Sequence, residues 1–185
     1  MRVKGASFRA ADKMDAKNTL SGGCLCGRFR YLLLEKPIGI NDCHCVDCRR
    51  ASAAAVVRWG TIHAGNFEVV SGELKKVSYA DRVRSFATCC GSPILFQVPQ
   101  DPEWVDVTIV SLDDPSPYRP EMIIWTEDRL PWVMLDPETP SYAQKKTQCP
   151  LVPSCSNVER ANHRPGPNPI RIESHDCSAK SAGAS

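Results

Sequence analysis

The sequence predicts a small, mainly β domain flanked by two disordered ends. Short apolar runs of about five residues alternate with Gly, Pro, Asn and Asp turn signals, roughly every eight to twelve residues. No segment has the long helical periodicity that an α/β enzyme would need. Most of the ten cysteines among the 185 residues also fall in three blocks within this patterned region.

The chain divides into three parts by composition. We predict a disordered leader over residues 1–19, a folded domain over 20–144 and a disordered tail over 145–185. The tail is rich in Pro, Ser, Asn and Lys, so it cannot bury enough apolar surface to offset the entropy of ordering. Its three cysteines, Cys149, Cys155 and Cys177, are widely spaced, and we expect them to be free thiols.

Within the folded part, most elements are short strands. A helix is predicted only at 51–55, where alanines cluster. The segment 104–110 alternates most clearly, with Trp104, Asp106 and Thr108 on one face and Val105, Val107 and Ile109 on the other. The predicted strands in chain order are 28–32, 56–59, 66–70, 74–79, 83–86, 94–98, 104–110, 122–125 and 132–135.

The central cysteine block is the strongest chemical signal. Cys43, Cys45 and Cys48 lie within six residues, a spacing that lets three thiolates converge on one tetrahedral ion. Thiolate ligands favour zinc or an iron–sulfur cluster over magnesium or calcium. Disulfides are disfavoured, because cysteines so close in sequence rarely reach the required Cα–Cα geometry without strain.

Three residues beside this block have open interpretations. His44 stands between two ligand cysteines and must point away from a shared metal, so it is either an acid–base group or a polar filler. Arg49 and Arg50 follow Cys48 directly. They either bind a substrate carboxylate or lie on the solvated surface.

A second thiol set is divided between two distant blocks. Cys24 and Cys26 stand between glycines that let the backbone bend around a metal. Cys89 and Cys90 precede Gly91 much later in the chain.

Taken together, the blocks at 23–27, 43–49 and 84–94 resemble the glutathione-dependent formaldehyde-activating enzyme family, which shares its domain with centromere protein V. The resemblance extends from about residue 20 to 142 and includes Tyr118-Arg119-Pro120 and Leu130-Pro131-Trp132-Val133. It implies a tent-like β fold of the Mss4 type that holds two zinc ions. It also implies that Cys24 and Cys26 join a later cysteine pair in a closed structural site, whereas Cys43, Cys45 and Cys48 form an open, catalytic one.

The sequence departs from the family pattern at two positions. The family motif Phe-Cys-x-x-Cys-Gly here has Ala87 in place of its first cysteine, while Cys90 matches the second and Cys89 is extra. Adjacent side chains diverge in an extended chain, so we expect Cys89 to be a poor substitute and the first site to be weakened. The other departure is Ile123, where relatives commonly carry a histidine.

The resemblance implies a zinc-dependent carbon–sulfur lyase that adds glutathione to formaldehyde and gives S-hydroxymethylglutathione. Three thiolates make zinc a modest Lewis acid but suit it to hold a substrate thiol in the fourth position. The expected substrates are therefore a small thiol and an aldehyde. The alternatives are a zinc-stabilised scaffold that binds a protein or chromatin partner, and a zinc enzyme for a different thiol.

Charge and hydropathy restrict the remaining partners. The net charge is +2, with basic ends and a mildly acidic middle, so nucleic acid is not an expected partner. No apolar run is long enough to span a membrane. Because the chain is rich in cysteine and its first residues lack the apolar run of a secretory signal, we expect a reducing compartment, the cytoplasm.

Overall fold

The computed structural model describes residues 19–144. Within this range the protein consists of short strands, one α-helix and three short 3₁₀ helices. The strands are β1 (Leu20–Gly23), β2 (Arg30–Leu33), β3 (Ile38–Cys43), β4 (Val57–His63), β5 (Phe67–Ser71), β6 (Leu74–Tyr79), β7 (Arg82–Ala87), β8 (Pro93–Gln97), β9 (Trp104–Thr108) and β10 (Met122–Ile124). The helix α1 spans Val46–Ser52, and the 3₁₀ helices span Ala64–Asn66, Ile109–Ser111 and Thr126–Asp128.

The strands form two open sheets. The small sheet has the order β1-β2-β5, and the large sheet has the order β10-β3-β4-β9-β8-β7-β6. All neighbouring strands pair antiparallel except β10 and β3, which are parallel. The predicted mainly β fold with two cysteine clusters is therefore confirmed.

Several strand predictions need correction. Strands β1 and β3 were not predicted, because glycines interrupt their apolar patterns. Residues 132–135 were predicted as a strand but form none, although Val133 and Leu135 alternate with the exposed Trp132 and Met134. The alternation there reflects packing on one side of an irregular segment, without a partner strand.

The helix lies earlier than predicted. It begins directly after Cys45, whose Sγ accepts a hydrogen bond from the Cys48 backbone N–H at 3.3 Å and so takes the place of a usual N-cap oxygen. It ends at Ala53, which adopts a left-handed conformation with φ of 49°. The alanine-rich segment 51–55 therefore forms mainly the end of the helix and the turn that follows.

The main hydrophobic core contains side chains from both sheets. Phe29, Tyr31 and Leu33 come from β2 and the turn before it, and they are fully buried. The large sheet contributes Ile62 and Val107, among others. The predicted two-faced pattern of β9 is confirmed, because Val105 and Val107 enter this core, whereas Asp106 and Trp104 do not.

The predicted leader and tail lie outside the described residues, apart from residue 19. The same is true of Cys149, Cys155 and Cys177. Among the helices that the structure describes, none has the length and apolar character required to cross a bilayer.

Candidate metal sites and active site

The structure brings the distant cysteine blocks together. Cys24 and Cys26 lie in the turn that connects β1 and β2, and Cys89 and Cys90 lie in the turn that connects β7 and β8. Their four sulfur atoms all lie within 4.8 Å of one another. This group, called the four-cysteine cluster below, therefore links the small sheet to the large sheet.

The sulfur spacing of the four-cysteine cluster suits a tetrahedral metal. A zinc ion with Zn–S bonds of about 2.3 Å places neighbouring sulfurs about 3.8 Å apart. The Sγ atom of Cys89 lies 3.5 Å from that of Cys24, 3.3 Å from that of Cys26 and 4.0 Å from that of Cys90. These residues therefore fit a four-coordinate, thiolate-bound ion.

This geometry corrects our expectation for Cys89. A tight turn follows Ala87, whose carbonyl accepts hydrogen bonds from the backbone N–H groups of Cys90 and Gly91. Gly91 completes the turn with a φ of 74°. Because the chain is tightly turned and not extended here, the adjacent Cys89 and Cys90 side chains both reach the cluster. Ala87 itself is buried in the core and takes no part.

Polar neighbours favour the thiolate form of Cys26 and Cys90, whereas hydrogen bonding with the Cys26 thiol and burial raise the pKa of Cys89 to about 12. Arg28 donates from Nε to the Cys26 sulfur at 3.4 Å, and this contact lowers the pKa of Cys26. The Ser92 hydroxyl lies 3.2 Å from the Cys90 sulfur and, with backbone N–H groups, lowers the pKa of Cys90 to about 5. Metal ligands must be deprotonated, so both contacts prepare the cluster for a cation.

The central block forms a second cluster at the end of β3. The sulfur atoms of Cys43, Cys45 and Cys48 lie within 4.8 Å of one another, and this group is called the three-cysteine cluster. Cys43 ends β3, Cys45 precedes α1 and Cys48 lies in its first turn, so one short loop presents all three. Three thiol ligands can hold a metal ion and leave one coordination position open.

An arginine that the sequence reasoning did not select faces this cluster. Arg84 Nη2 lies 3.6 Å from the Cys48 sulfur. Hydrogen bonds from the Cys43 and Cys45 thiols, together with the charge of Arg84, hold the pKa of Cys48 well below its usual value. The Arg84 guanidinium also lies 4.9 Å from the centre of the Phe96 ring, a cation–π contact that fixes its position.

Aromatic side chains cover the same face of the large sheet. Trp59 is buried against Cys43 and Cys48, and its ring centre is 5.9 Å from that of Phe96. Its indole Nε1 is buried without a hydrogen-bond partner in the described part of the chain. Farther along this face Asp106 accepts a hydrogen bond from the Thr61 hydroxyl at 2.6 Å, and burial raises the pKa of Asp106 to about 6.

His44 and Ile123 lie away from the three-cysteine cluster. Both line a cavity on the other face of the same strands, and both are almost completely buried. The prediction that His44 points away from its neighbouring cysteines is therefore in keeping with the structure. Ile123 itself faces that cavity, so the departure from the family pattern expected at this position concerns the cavity and not the cysteine face.

The two arginines after Cys48 differ in their surroundings. Arg50 is exposed, whereas Arg49 is half-buried and its Nε finds no hydrogen-bond partner between residues 19 and 144. Arg49 is thus the better candidate for an anionic group.

The fold and these clusters define a class of protein: a mainly β domain with two cysteine clusters that could each hold a metal ion. The model of the glutathione-dependent formaldehyde-activating enzyme family matches residues 19–128, more than half of the chain. The chain belongs to this family.

Other comparisons add little. A solved structure described only as a Rhodobacter sphaeroides protein from structural genomics is 18% identical, covering 66% of this chain and 100% of that chain with a TM-score of 0.45. No curated protein matches the chain significantly.

Sequence reasoning identified the seven described cysteines of both clusters but missed the groups around the second one. Arg84 belongs to the block at residues 84–94 that resembles the family, yet its spacing from the cysteines does not link it to Cys48. The register of β7, β8 and β9 places Arg84 opposite Phe96 and Phe96 opposite Asp106. Such cross-strand rows depend on pairing that a single sequence does not reveal.

Proposed function

We propose that the protein is a zinc-dependent carbon–sulfur lyase that adds a small thiol such as glutathione to formaldehyde or a related aldehyde. The observation that supports this function most is the contrast between four thiols in one cluster and three thiols in the other. The four-cysteine cluster supplies a full tetrahedral set, whereas the three-cysteine cluster leaves a position for a substrate.

Zinc would be held by Cys24, Cys26, Cys89 and Cys90 in one site and by Cys43, Cys45 and Cys48 in the other. In the open site it would bind a substrate thiol and keep it deprotonated as a nucleophile. The protein supplies the surroundings. Arg84, fixed over Phe96, adds positive charge beside Cys48 and so favours an anionic sulfur nearby.

A hydrogen-bond donor is available for the aldehyde. The Trp59 Nε1–H is buried next to the three-cysteine cluster and has no hydrogen-bond partner within residues 19–144. A buried donor without a partner costs roughly 1–3 kcal/mol, so a substrate oxygen that accepts this hydrogen bond would remove that cost. Trp59 would therefore orient the carbonyl oxygen.

The reaction is an addition without redox change. The thiol gives up its proton, the sulfur forms a bond to the carbonyl carbon, and the carbonyl π electrons move to oxygen, which takes up a proton. Arg49 directly follows Cys48, and its Nε has no hydrogen-bond partner among the described residues, so its guanidinium would bind a substrate carboxylate. The reverse reaction breaks the same carbon–sulfur bond.

The test is exchange spectroscopy with ¹³C-formaldehyde and glutathione, since the uncatalysed addition is reversible and its exchange rate can be measured directly. The protein should accelerate exchange between free formaldehyde and its glutathione adduct. Cys48→Ser should remove that acceleration, and Trp59→Phe should reduce it about tenfold by deleting one hydrogen bond to the oxygen.

Cys155→Ser, at a position outside the described residues, is the matched control and should behave as the parent. An absence of acceleration by protein that carries two metal ions per chain would reject the proposal and favour the scaffold alternative. Acceleration with another thiol alone would keep the reaction class and reject glutathione.

We also propose a cytoplasmic location, because two clusters of free thiols require a reducing environment.

A further inference from the structure

A cavity of about 270 Å³ lies on the face of the large sheet opposite the three-cysteine cluster. We call it the back cavity. Its polar lining comes from two carboxylates and three nitrogen-bearing side chains, namely Asp42, Asp136, His44, Arg58 and Arg119, and its apolar lining includes Ile123 and Val133.

Strand alternation separates the back cavity from the cysteine face. Successive side chains of a strand point to opposite faces of the sheet. Asp42 lines the cavity while Cys43 joins the cluster, and Ile123 lines the cavity while Ile124 packs beside the cluster. Arg58 likewise lines the cavity between two residues of the cysteine face. A ligand in the back cavity would therefore not occupy the proposed active site.

The acceptors around the back cavity already have partners. Asp42 accepts hydrogen bonds at both carboxylate oxygens from Arg58, at 2.7 and 2.9 Å. Asp136 accepts from the backbone N–H of Glu138 at 3.0 Å and from the Thr139 hydroxyl at 2.9 Å. Neither carboxylate needs a ligand cation.

The donors have spare capacity. His44 is only 2% exposed, and its Nδ1 is buried with no hydrogen-bond partner among the residues that the structure describes. The Arg119 side chain is 84% exposed, and its ion pair with Asp136 is long, at 4.0 Å. A guanidinium has five N–H donors, and a neutral imidazole can carry its proton on Nδ1. The unsatisfied groups therefore match a ligand that accepts hydrogen bonds and carries negative charge.

We propose that the back cavity binds a small monocarboxylate with an apolar body. The carboxylate would accept hydrogen bonds from Arg119 and His44, and the body would lie against Ile123 and Val133. Charge-assisted hydrogen bonds to a carboxylate contribute about 1.5–3 kcal/mol each, which makes the charge and not the apolar contact decisive for selectivity.

The test uses hexanoate as the probe and hexanamide as its neutral isostere, titrated into the full-length, metal-loaded protein. Methyl resonances of Ile123 and Val133 report occupancy of the cavity. Hexanoate should shift them saturably, and hexanamide should bind about tenfold more weakly. Arg119→Gln should weaken hexanoate binding by a similar factor. Because Arg119 is exposed, this variant should fold normally.

Two controls separate the back cavity from other effects. Arg30→Gln removes another ion-paired arginine, which lies on β2 of the small sheet and does not line the cavity, and should leave hexanoate binding unchanged. Cys45→Ser alters the three-cysteine cluster and should also leave it unchanged. Equal binding of hexanamide, binding lost in Cys45→Ser, or no saturable shift of Ile123 and Val133 would each overturn the proposal. None of these results would affect the proposed thiol chemistry on the opposite face.

Discussion

The two cysteine clusters differ in how the chain assembles them. The four-cysteine cluster joins two turns that are more than sixty residues apart, with Cys26 and Cys90 exposed and Cys24 buried at the edge of the core. The three-cysteine cluster is formed by one short loop, and Cys43 and Cys48 are buried. One cluster is therefore a long-range connection between sheets, and the other is a local, pre-shaped group.

This difference separates stability from chemistry. A metal that closes a long loop restricts the unfolded chain, so its binding free energy contributes directly to folding. A metal in a six-residue loop restricts the chain much less. Arg84, Trp59 and Phe96 surround the local cluster with charge and aromatic surface, whereas the long-range cluster has mainly polar turn contacts.

The largest expected effect tests whether Cys89 is a full ligand. Cys89→Ala and Cys24→Ala should each release about one metal ion per chain and lower the free energy of unfolding by about 3 kcal/mol or more, because both remove one of four ligands from the sheet-to-sheet connection. Elemental analysis and thermal unfolding measure the two effects.

Ala87→Cys is the matched variant for this comparison. Since Ala87 lies in the core and the cluster already has four sulfurs, the added thiol should improve neither metal retention nor melting temperature. If Ala87→Cys retained metal better under a chelator while Cys89→Ala behaved as the parent, our original expectation of a weakened site would be right.

The next effect concerns the local cluster. Cys45→Ser should also release about one metal ion per chain, but it should lower the free energy of unfolding by only about 1–2 kcal/mol. Serine is a good N-cap residue, so its hydroxyl can accept the Cys48 N–H in place of the Cys45 sulfur and preserve α1. The catalysed exchange of formaldehyde should nevertheless be lost.

The losses in free energy of unfolding for Cys45→Ser and for Cys24→Ala, taken as a ratio, decide whether the two clusters differ in their contribution to the fold. Equal destabilisation by Cys45→Ser and Cys24→Ala would show that both clusters support the fold to the same degree. Retention of catalysis in Cys45→Ser would instead separate the chemistry from the three-cysteine cluster.

A smaller effect distinguishes two aspartates. Asp106 lies on the large sheet opposite Phe96, and Asp113 pairs with Arg30 of the small sheet. Burial raises the pKa of Asp106 from 3.8 to about 6, so the folded state binds the proton more tightly and ionisation lowers stability as the pH rises from about 4 to 6. Asp106→Asn should therefore be more stable than the parent at pH 7, by about 1–2 kcal/mol, and close to it below pH 4. Denaturant unfolding across this pH range measures the difference.

Asp113 should show the opposite sign. Hydrogen bonds from Arg30 and Ser21 lower the pKa of Asp113, so its contribution is present above its unfolded pKa and is lost as the pH falls through the folded value. At pH 7 the free energy of unfolding of Asp113→Asn should be lower than that of the parent by about 0.2–1 kcal/mol, since the Arg30–Asp113 pair is solvent-exposed. The same sign for both variants would contradict the assignment of burial at Asp106.

Both clusters were predictable from sequence. The three-cysteine cluster has a short-range signal, because its cysteines lie within six residues, and the four-cysteine cluster belongs to the family motif. The order of cysteine blocks gave the family and the mainly β class, and the alternation at 104–110 correctly separated Asp106 from Val105 and Val107. The approach of Cys89 to the other three sulfurs was not predicted, because its position depends on the turn after Ala87, which the Cys-Cys-Gly sequence alone does not specify.

Features that depend on strand pairing were not predictable. Nothing near Arg84 in the sequence indicates Cys48, since their contact arises from the path of β7 beside the cysteine face. The back cavity likewise requires that β10 pair parallel to β3, which places Ile123 opposite Asp42. A three-residue strand with glycine-interrupted neighbours carries too little pattern to give that register.

The smallest expected effect concerns the end of the folded domain, on the side of the three-cysteine cluster. The backbone N–H of Tyr142 donates to the Ile123 carbonyl, and the carbonyls of Tyr142 and Gln144 accept from Thr126 and Trp125. A chain that ends at Gln144 keeps all of these bonds, so its free energy of unfolding should stay within about 0.5 kcal/mol of the parent, with unchanged metal content. A chain that ends at Pro140 loses them, so β10 keeps its pairing with β3 but is held less firmly where Ile124 packs beside the three-cysteine cluster. That shorter chain should lose the metal of the three-cysteine cluster first and keep about one ion per chain. Adding Cys45→Ser to it should lower the metal content no further, because the four-cysteine cluster stays loaded. A large drop in melting temperature for the chain that ends at Gln144 would show that residues 145–185 contribute to the fold, against the composition-based prediction.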